Sequence, residues 1–166
     1  MRVVLHAATA AETEAIGAAL APTLRRRDVV MLTGELGAGK TTLVRGLAAG
    51  VGATEHVASP TFTLVREYVT GSLPIAHVDV YRLMRMQDVV DLALDELVDG
   101  EAVVVIEWGD AVEALLPPDR LRIELAAIDP TGGREDRSLE VDAIGPSWDA
   151  RAGLLEEALG PWGLRR

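Results

Sequence analysis

Residues 34–42 read GELGAGKTT, and within them Gly34, Gly39, Lys40 and Thr41 satisfy the pattern G-x-x-x-x-G-K-[ST]. Each position in such a P-loop has a chemical purpose. Glycines reach positive φ and let successive backbone N–H groups converge on phosphate oxygens. A helix starting at Lys40 adds its positive N-terminal end. The Lys40 ammonium is expected to reach the β- and γ-phosphates of a nucleotide, and the Thr41 hydroxyl to ligate magnesium.

This chemistry needs a second carboxylate near the metal, at the end of a neighbouring buried strand. Two residues compete for that place. Glu107 ends the aliphatic run VVVI at 103–106, whereas Asp79 ends a run interrupted by His77. The apolar pattern favours Glu107 as the magnesium-side carboxylate. Asp79 is then free to orient or activate an attacking water, or to support the site from behind. Lys40, Asp79 and Glu107 are the candidate catalytic groups. The expected reaction is attack of water on a γ-phosphate, with Asp79 or Glu107 positioning that water. The segment 59–64, SPTFTL, adds hydroxyls at Ser59, Thr61 and Thr63 that suit contacts to phosphate or to Asp79. No glutamine or arginine finger stands at a recognisable spacing, and Arg82 is the nearest candidate. Slow hydrolysis by the isolated chain, accelerated by a partner, follows from that gap.

The elements that must hold these groups alternate between strand and helix patterns. A strand is expected over 2–6. Thr9 and Glu12 form a T-x-x-E capping signal for a helix over about 10–24. A buried strand at 29–33 leads into the glycine loop, and a helix over 40–49 leads out to Gly50. Residues 63–69 and 75–79 read as two strands joined at 71–74, and 87–98 as one or two short helices. The run 102–107 is a buried strand rich in β-branched residues. Strands at 121–126 and 139–141 flank a turn-rich stretch, and a helix closes the chain at 154–159. The predicted fold class is therefore α/β. It is a single three-layer P-loop NTPase domain spanning 1–166, with a mixed, partly parallel sheet. Antiparallel additions are expected from the 63–79 hairpin and the C-terminal strands.

Composition narrows the partners. The chain has 166 residues, no cysteine, and a formal charge of −10 from 16 basic and 26 acidic residues. Disulfides, thiolate metal sites and cysteine nucleophiles are excluded. An acidic chain whose sole lysine is Lys40 is a poor direct binder of polyanions, so no sequence-specific nucleic-acid binding is expected. Basic clusters at 25–27, 82–85 and 165–166 read as solvated surface or as docking points for a protein partner. The N-terminal apolar stretch is short for a signal peptide, and no run has the ~18 apolar residues of a membrane span. A cytoplasmic location is expected.

The motifs GELGAGKTT, SPTFTLVREY, HVDVYRL and IEWGD occur in that order, at close spacing, and span most of the chain. Together they resemble the bacterial TsaE ATPase family. The resemblance implies an ATP- and Mg2+-dependent ATPase that works with TsaB and TsaD partners to make N6-threonylcarbamoyladenosine in tRNA. The tRNA is reached through the complex, TsaD transfers the group, and the ATPase supports turnover. It further implies that Thr41 and Glu107 bind magnesium. Gly37, Ala38, Gly39, Lys40, Thr41 and Thr42 would bind phosphate, Asp79 would serve hydrolysis, and Thr13 would lie near the adenine end, with Arg134 also close to the nucleotide. Trp108 follows Glu107 as in the family, but Gly109 replaces a frequent proline, which puts local rigidity in question. A small-molecule or nucleoside kinase and a non-catalytic nucleotide switch are the rival readings. Phosphorylation of an acceptor would mark the first, and full function of an Asp79→Ala variant the second.

Overall fold

The computed structural model describes residues 1–60, 64–81, 93–129 and 135–163. Among these residues seven strands form one sheet: β1 (Arg2–Ala7), β2 (Val29–Thr33), β3 (Val65–Tyr68), β4 (Ile75–Asp79), β5 (Val103–Glu107), β6 (Arg120–Ala127) and β7 (Arg137–Ile144). Their order is β1-β7-β6-β2-β5-β4-β3. The centre is parallel, with β2 between β5 and β6 and with β4 beside β5. Antiparallel pairs close both sides: β3 on β4, and β7 between β6 and β1. The expectation for the C-terminal strands is corrected in one respect. β7 runs antiparallel to its neighbours, but β6 runs parallel to β2 and belongs to the buried centre. A strand pattern alone does not encode direction; the 3₁₀ segment Gly109–Leu115 returns the chain from the end of β5, so β6 starts level with β2.

The central strands are apolar on both faces because both faces are covered. Val30, Leu32, Val103 and Val105 pack into one core, and Val29, Met31, Val104 and Ile106 into a second. All eight are fully buried, each contributing roughly 2 kcal/mol of transfer free energy. The first core is roofed by α1 (Ala10–Leu20), α2 (Lys40–Gly50) and α5 (Ala152–Leu159). The second lies under α3 (Leu94–Asp99) and the 3₁₀ segment. The result is a three-layer mixed α/β domain.

Helix α1 starts where its capping signal lies: Thr9 Oγ1 accepts the Glu12 N–H at 3.1 Å, and Glu12 Oε2 accepts the Ala8 N–H at 2.6 Å. It ends four residues before the expected boundary. Pro22 cannot continue the hydrogen-bond ladder, so Ala21–Thr23 tightens into a 3₁₀ turn. Helices α1 and α2 approach at glycines. A Cβ on Gly17 would stand 2.3 Å from the Leu43 carbonyl oxygen, and one on Gly46 would stand 1.9 Å from that of Glu14. The strand expected at 63–69 is described from Val65, since Leu64 has a φ of 60° and turns the chain before it. The short helix α4 (Pro146–Asp149) carries no sequence pattern of its own beyond a helix-starting proline. It positions Trp148 and leads to Arg151, whose guanidinium forms a buried two-pronged pair with Asp28 at 2.6 and 2.8 Å.

Candidate functional site

Strands β2, β5 and β4 end side by side, and strand register aligns the last residues of β5 and β4 with the penultimate residue of β2. Leu32 pairs with Glu107, and Glu107 pairs with Asp79. Ligands of open α/β sheets collect beyond such carboxyl ends, where strand connections diverge to either side. The loop following β2 is the glycine motif. Gly34, Gly37 and Gly39 have φ of 129°, 79° and 105°, respectively. Gly34 also meets β6 closely: a Cβ there would lie 2.1 Å from the Leu125 carbonyl oxygen. Gly39 is the N-cap of α2, and the first helical bond runs from Leu43 N–H to Gly39 O at 2.9 Å. The N–H groups of Lys40, Thr41 and Thr42 therefore precede the ladder and are available to an anion.

A cavity of about 450 Å³ opens over this loop, lined by Lys40, Thr41, Ser59, Asp79, Tyr81, Glu107 and Trp108 together with loop residues. Thr41 Oγ1 donates to Glu107 Oε1 at 2.7 Å. The Asp79 carboxylate accepts from Ser59 Oγ at 2.6 Å and from the Tyr81 N–H at 3.0 Å. Glu107 and Asp79 are 3% and 5% exposed. Buried charges of this kind need donors or a countercharge. The Lys40 ammonium donates to the carbonyls of Gly34 and Glu35 at 2.6 and 2.8 Å and sits 3.8 Å from the Trp108 ring centre. Burial holds its pKa below the ordinary lysine range, opposed by the negative fields of Glu107, Asp79 and Asp110.

Trp108 reaches this place through a left-handed backbone turn, φ 61° and ψ 35°, at a cost of about 1–2 kcal/mol for a non-glycine residue. Its ring also packs on Tyr81 with centroids 4.7 Å apart. Gly109 is buried against Met31, and a Cβ there would fall 2.2 Å from Met31 Cγ. The absence of proline at this position leaves an ordered 3₁₀ segment, Gly109–Leu115, directly after the site.

The other expected residues divide. Thr13 is buried on α1 and its hydroxyl donates to Thr9 O at 3.3 Å. It lines a small hollow of about 120 Å³ with Gly37, Gly39, Thr42 and Arg137, on the α1 side of the loop. Ser59 meets Asp79, one of the two contacts expected of its segment. Arg134, Thr61, Thr63, the Arg82 finger candidate, the 82–85 and 165–166 basic clusters and the first part of the 87–98 helical stretch lie outside the described residues. Two contributors escaped the sequence reading. Arg137 donates to Ala38 O at 3.1 Å and Gly37 O at 3.3 Å, tying the glycine loop to β7. His77, read as an interruption of an apolar strand, hydrogen-bonds Glu107 at 2.8 Å. Arg137 belongs to no spacing pattern that could have announced it, whereas His77 opens the HVDVYRL motif, which was read for Asp79 alone.

The donor set fits a nucleotide-bound divalent cation. A hydroxyl and a carboxylate from adjacent elements are hard oxygen ligands, and the buried acids outnumber the one ammonium that faces them. Among the described residues no group of three or more His, Asp or Glu side chains could hold a metal unaided. Phosphate oxygens and water would complete the coordination, as magnesium sites of this type require. No described helix is long and apolar enough to cross a membrane.

Comparison with known proteins agrees with this geometry. Residues 7–136 match the family described as Threonylcarbamoyl adenosine biosynthesis protein TsaE. The tRNA threonylcarbamoyladenosine biosynthesis protein TsaE of Bacillus subtilis is 41% identical over 138 residues, covering 83% of this chain and 84% of that one. The protein of the same name from Streptomyces coelicolor is 41% identical over 136 residues, covering 80% and 91%. The crystal structure of Bacillus subtilis YdiB superposes with a TM-score of 0.79 at 34% identity, covering 95% of each chain. The loop, the strand-end carboxylates and these similarities converge: the chain belongs to the TsaE family of threonylcarbamoyl adenosine biosynthesis proteins.

Proposed function

We propose that this chain is the Mg2+-dependent ATP-hydrolysing component of the machinery that installs N6-threonylcarbamoyladenosine in tRNA, acting in the cytoplasm with TsaB- and TsaD-like partners. The observation that carries the reading is the Thr41–Glu107 contact at 2.7 Å beside Lys40, at the mouth of a glycine loop. Thr41 and Glu107 would hold magnesium, which when bound offsets charge on the phosphate oxygens. The loop and first-turn N–H groups bind the phosphate chain, and Lys40 shifts from its loop carbonyls to the β- and γ-oxygens. Asp79, oriented by Ser59 and the Tyr81 N–H, holds the water for in-line attack. Thr13 borders the adenine end. The tRNA is engaged through the partners, since a chain of net charge −10 repels a polyanion.

The test is mass spectrometry of digested tRNA from cells in which Lys40→Ala replaces the native residue, paired with ATP binding by the purified variant. Loss of both binding and threonylcarbamoyladenosine is expected. Unchanged modification despite lost binding would overturn the pathway role.

A further inference from the structure

His77 is wholly buried in a strand whose neighbours Ile75, Ala76 and Val78 are apolar, and Val105 faces it across the register. An aliphatic side chain would fill that position with no polar group to satisfy, so the imidazole calls for a reason. Its two nitrogens supply one. Nε2 lies 2.8 Å from Glu107 Oε1, and Nδ1 lies 3.1 Å from the hydroxyl of Tyr68, itself fully buried. A carboxylate only accepts, so Nε2 carries the hydrogen, and Nδ1 is left to accept from the phenol. The same Glu107 Oε1 takes the Thr41 hydroxyl at 2.7 Å. One oxygen thus receives two donors, one from α2 and one from β4, and turning it away would forfeit both bonds.

We propose that His77, its ring orientation fixed by Tyr68, is a positioning residue that locks Glu107 beside Thr41 and so sets the magnesium-dependent part of nucleotide affinity. This rests on the nucleotide site proposed above. The chain Tyr68–His77–Glu107–Thr41 runs from the edge hairpin to the first turn of α2, so the metal carboxylate is set from behind by that hairpin. Partners of this kind, standing behind a ligand, hold it in one orientation. Burial raises the Tyr68 pKa, which keeps its proton in place for the Nδ1 bond.

The experiment compares ADP affinity with saturating Mg2+ and in EDTA, with Mn2+ titration by electron paramagnetic resonance as the direct metal readout. The proteins are the parent, His77→Leu, His77→Gln and Tyr68→Phe. His77→Leu is expected to lose about tenfold or more of the magnesium enhancement and of Mn2+ affinity, while ADP affinity in EDTA stays within about twofold. His77→Gln, whose amide N–H can take the Nε2 place, restores most of the enhancement. Tyr68→Phe, which deletes one hydroxyl and keeps the ring, loses several-fold, and it carries the test by itself if His77→Leu does not fold. Unchanged magnesium enhancement in Tyr68→Phe and His77→Leu, or equal weakening with and without metal, overturns the proposal. A parent protein that binds no ADP under either condition overturns the nucleotide-site reading instead.

Discussion

The crossing of α1 and α2 gives a prediction that joins stability to function. Gly46→Ala places a Cβ 1.9 Å from the Glu14 carbonyl oxygen, 2.8 Å from its carbon and 3.0 Å from the Ala18 nitrogen. All three are backbone atoms of α1, so no rotamer change relieves the clash. The helices must part by about 1 Å, and overpacking of this kind costs typically 1–3 kcal/mol and sometimes more. The better helix propensity of alanine returns about 1 kcal/mol. Because the obstruction is rigid on all three contacts, the upper part of the range applies, and a net loss of about 2 kcal/mol is expected. For a chain of this size that is roughly 4–8 °C in Tm. The displaced helix begins at Lys40 and carries Thr41 away from Glu107, so Mg2+-ADP affinity falls as well. Gly153→Ala is the control. Gly153 lies in α5 with nothing within 4 Å of an added Cβ, so that variant should gain a few tenths to about 1 kcal/mol and leave binding unchanged. Thermal unfolding with a nucleotide titration on the same samples reads both effects. Gly46→Ala melting at or above the parent, with parental affinity, would refute the wedge argument.

Three further outcomes follow from particular contacts. Asp28→Ala strands the Arg151 guanidinium, 1% exposed, beside only carbonyl and hydroxyl acceptors; a loss of about 3–5 kcal/mol is expected in denaturant unfolding, and Asp28→Leu with Arg151→Met should recover most of it. The Glu55 carboxyl is held down to about 2 by the Thr70 hydroxyl, with help from the Val69 and Thr70 N–H groups, against an ordinary 4.5. The unfolded chain therefore binds the extra proton first, so this stabilisation is complete above pH 4.5 and fades as pH falls toward 2; Glu55→Gln should flatten the Tm–pH curve in that window, and superimposable curves would contradict it. Ser59→Ala removes one of the two donors to Asp79; phosphate release should slow by roughly tenfold or more with ADP affinity intact, and a joint loss of both would place Ser59 in binding instead.

Much of the fold was legible because burial leaves a simple trace. Val29–Thr33 and Ile75–Asp79 were bounded from sequence as they stand, since apolar runs beside glycine or acidic ends have few alternatives. The glycine loop before α2 was legible because such a turn draws on fixed residue types at fixed spacing. Ser59 was read as a partner for phosphate or for Asp79, and the structure gives it to Asp79. What the sequence hid was pairing at a distance. Arg137 lies 100 positions from Gly37, and nothing local to either residue announces their bond. Nor does local pattern announce that the Trp108 ring faces the Lys40 ammonium, which it does from a left-handed backbone. The direction of β6 was missed for the same reason: alternation reports which face a residue takes, not which neighbour its strand follows.

The pairing of Asp79 with Glu107 has a mechanical side. The two acids occupy facing positions on adjacent parallel strands, so the interval between their backbones is one inter-strand repeat, about 4.8 Å. That interval is a gauge built into the sheet. It does not respond to side-chain rotamers, to the hinge of a loop or to the arrival of substrate, and only a slip of strand register could change it. The spacing of the two backbone anchors, on which the proposed water-holding and metal-holding roles would rest, is thus machined by backbone hydrogen bonds.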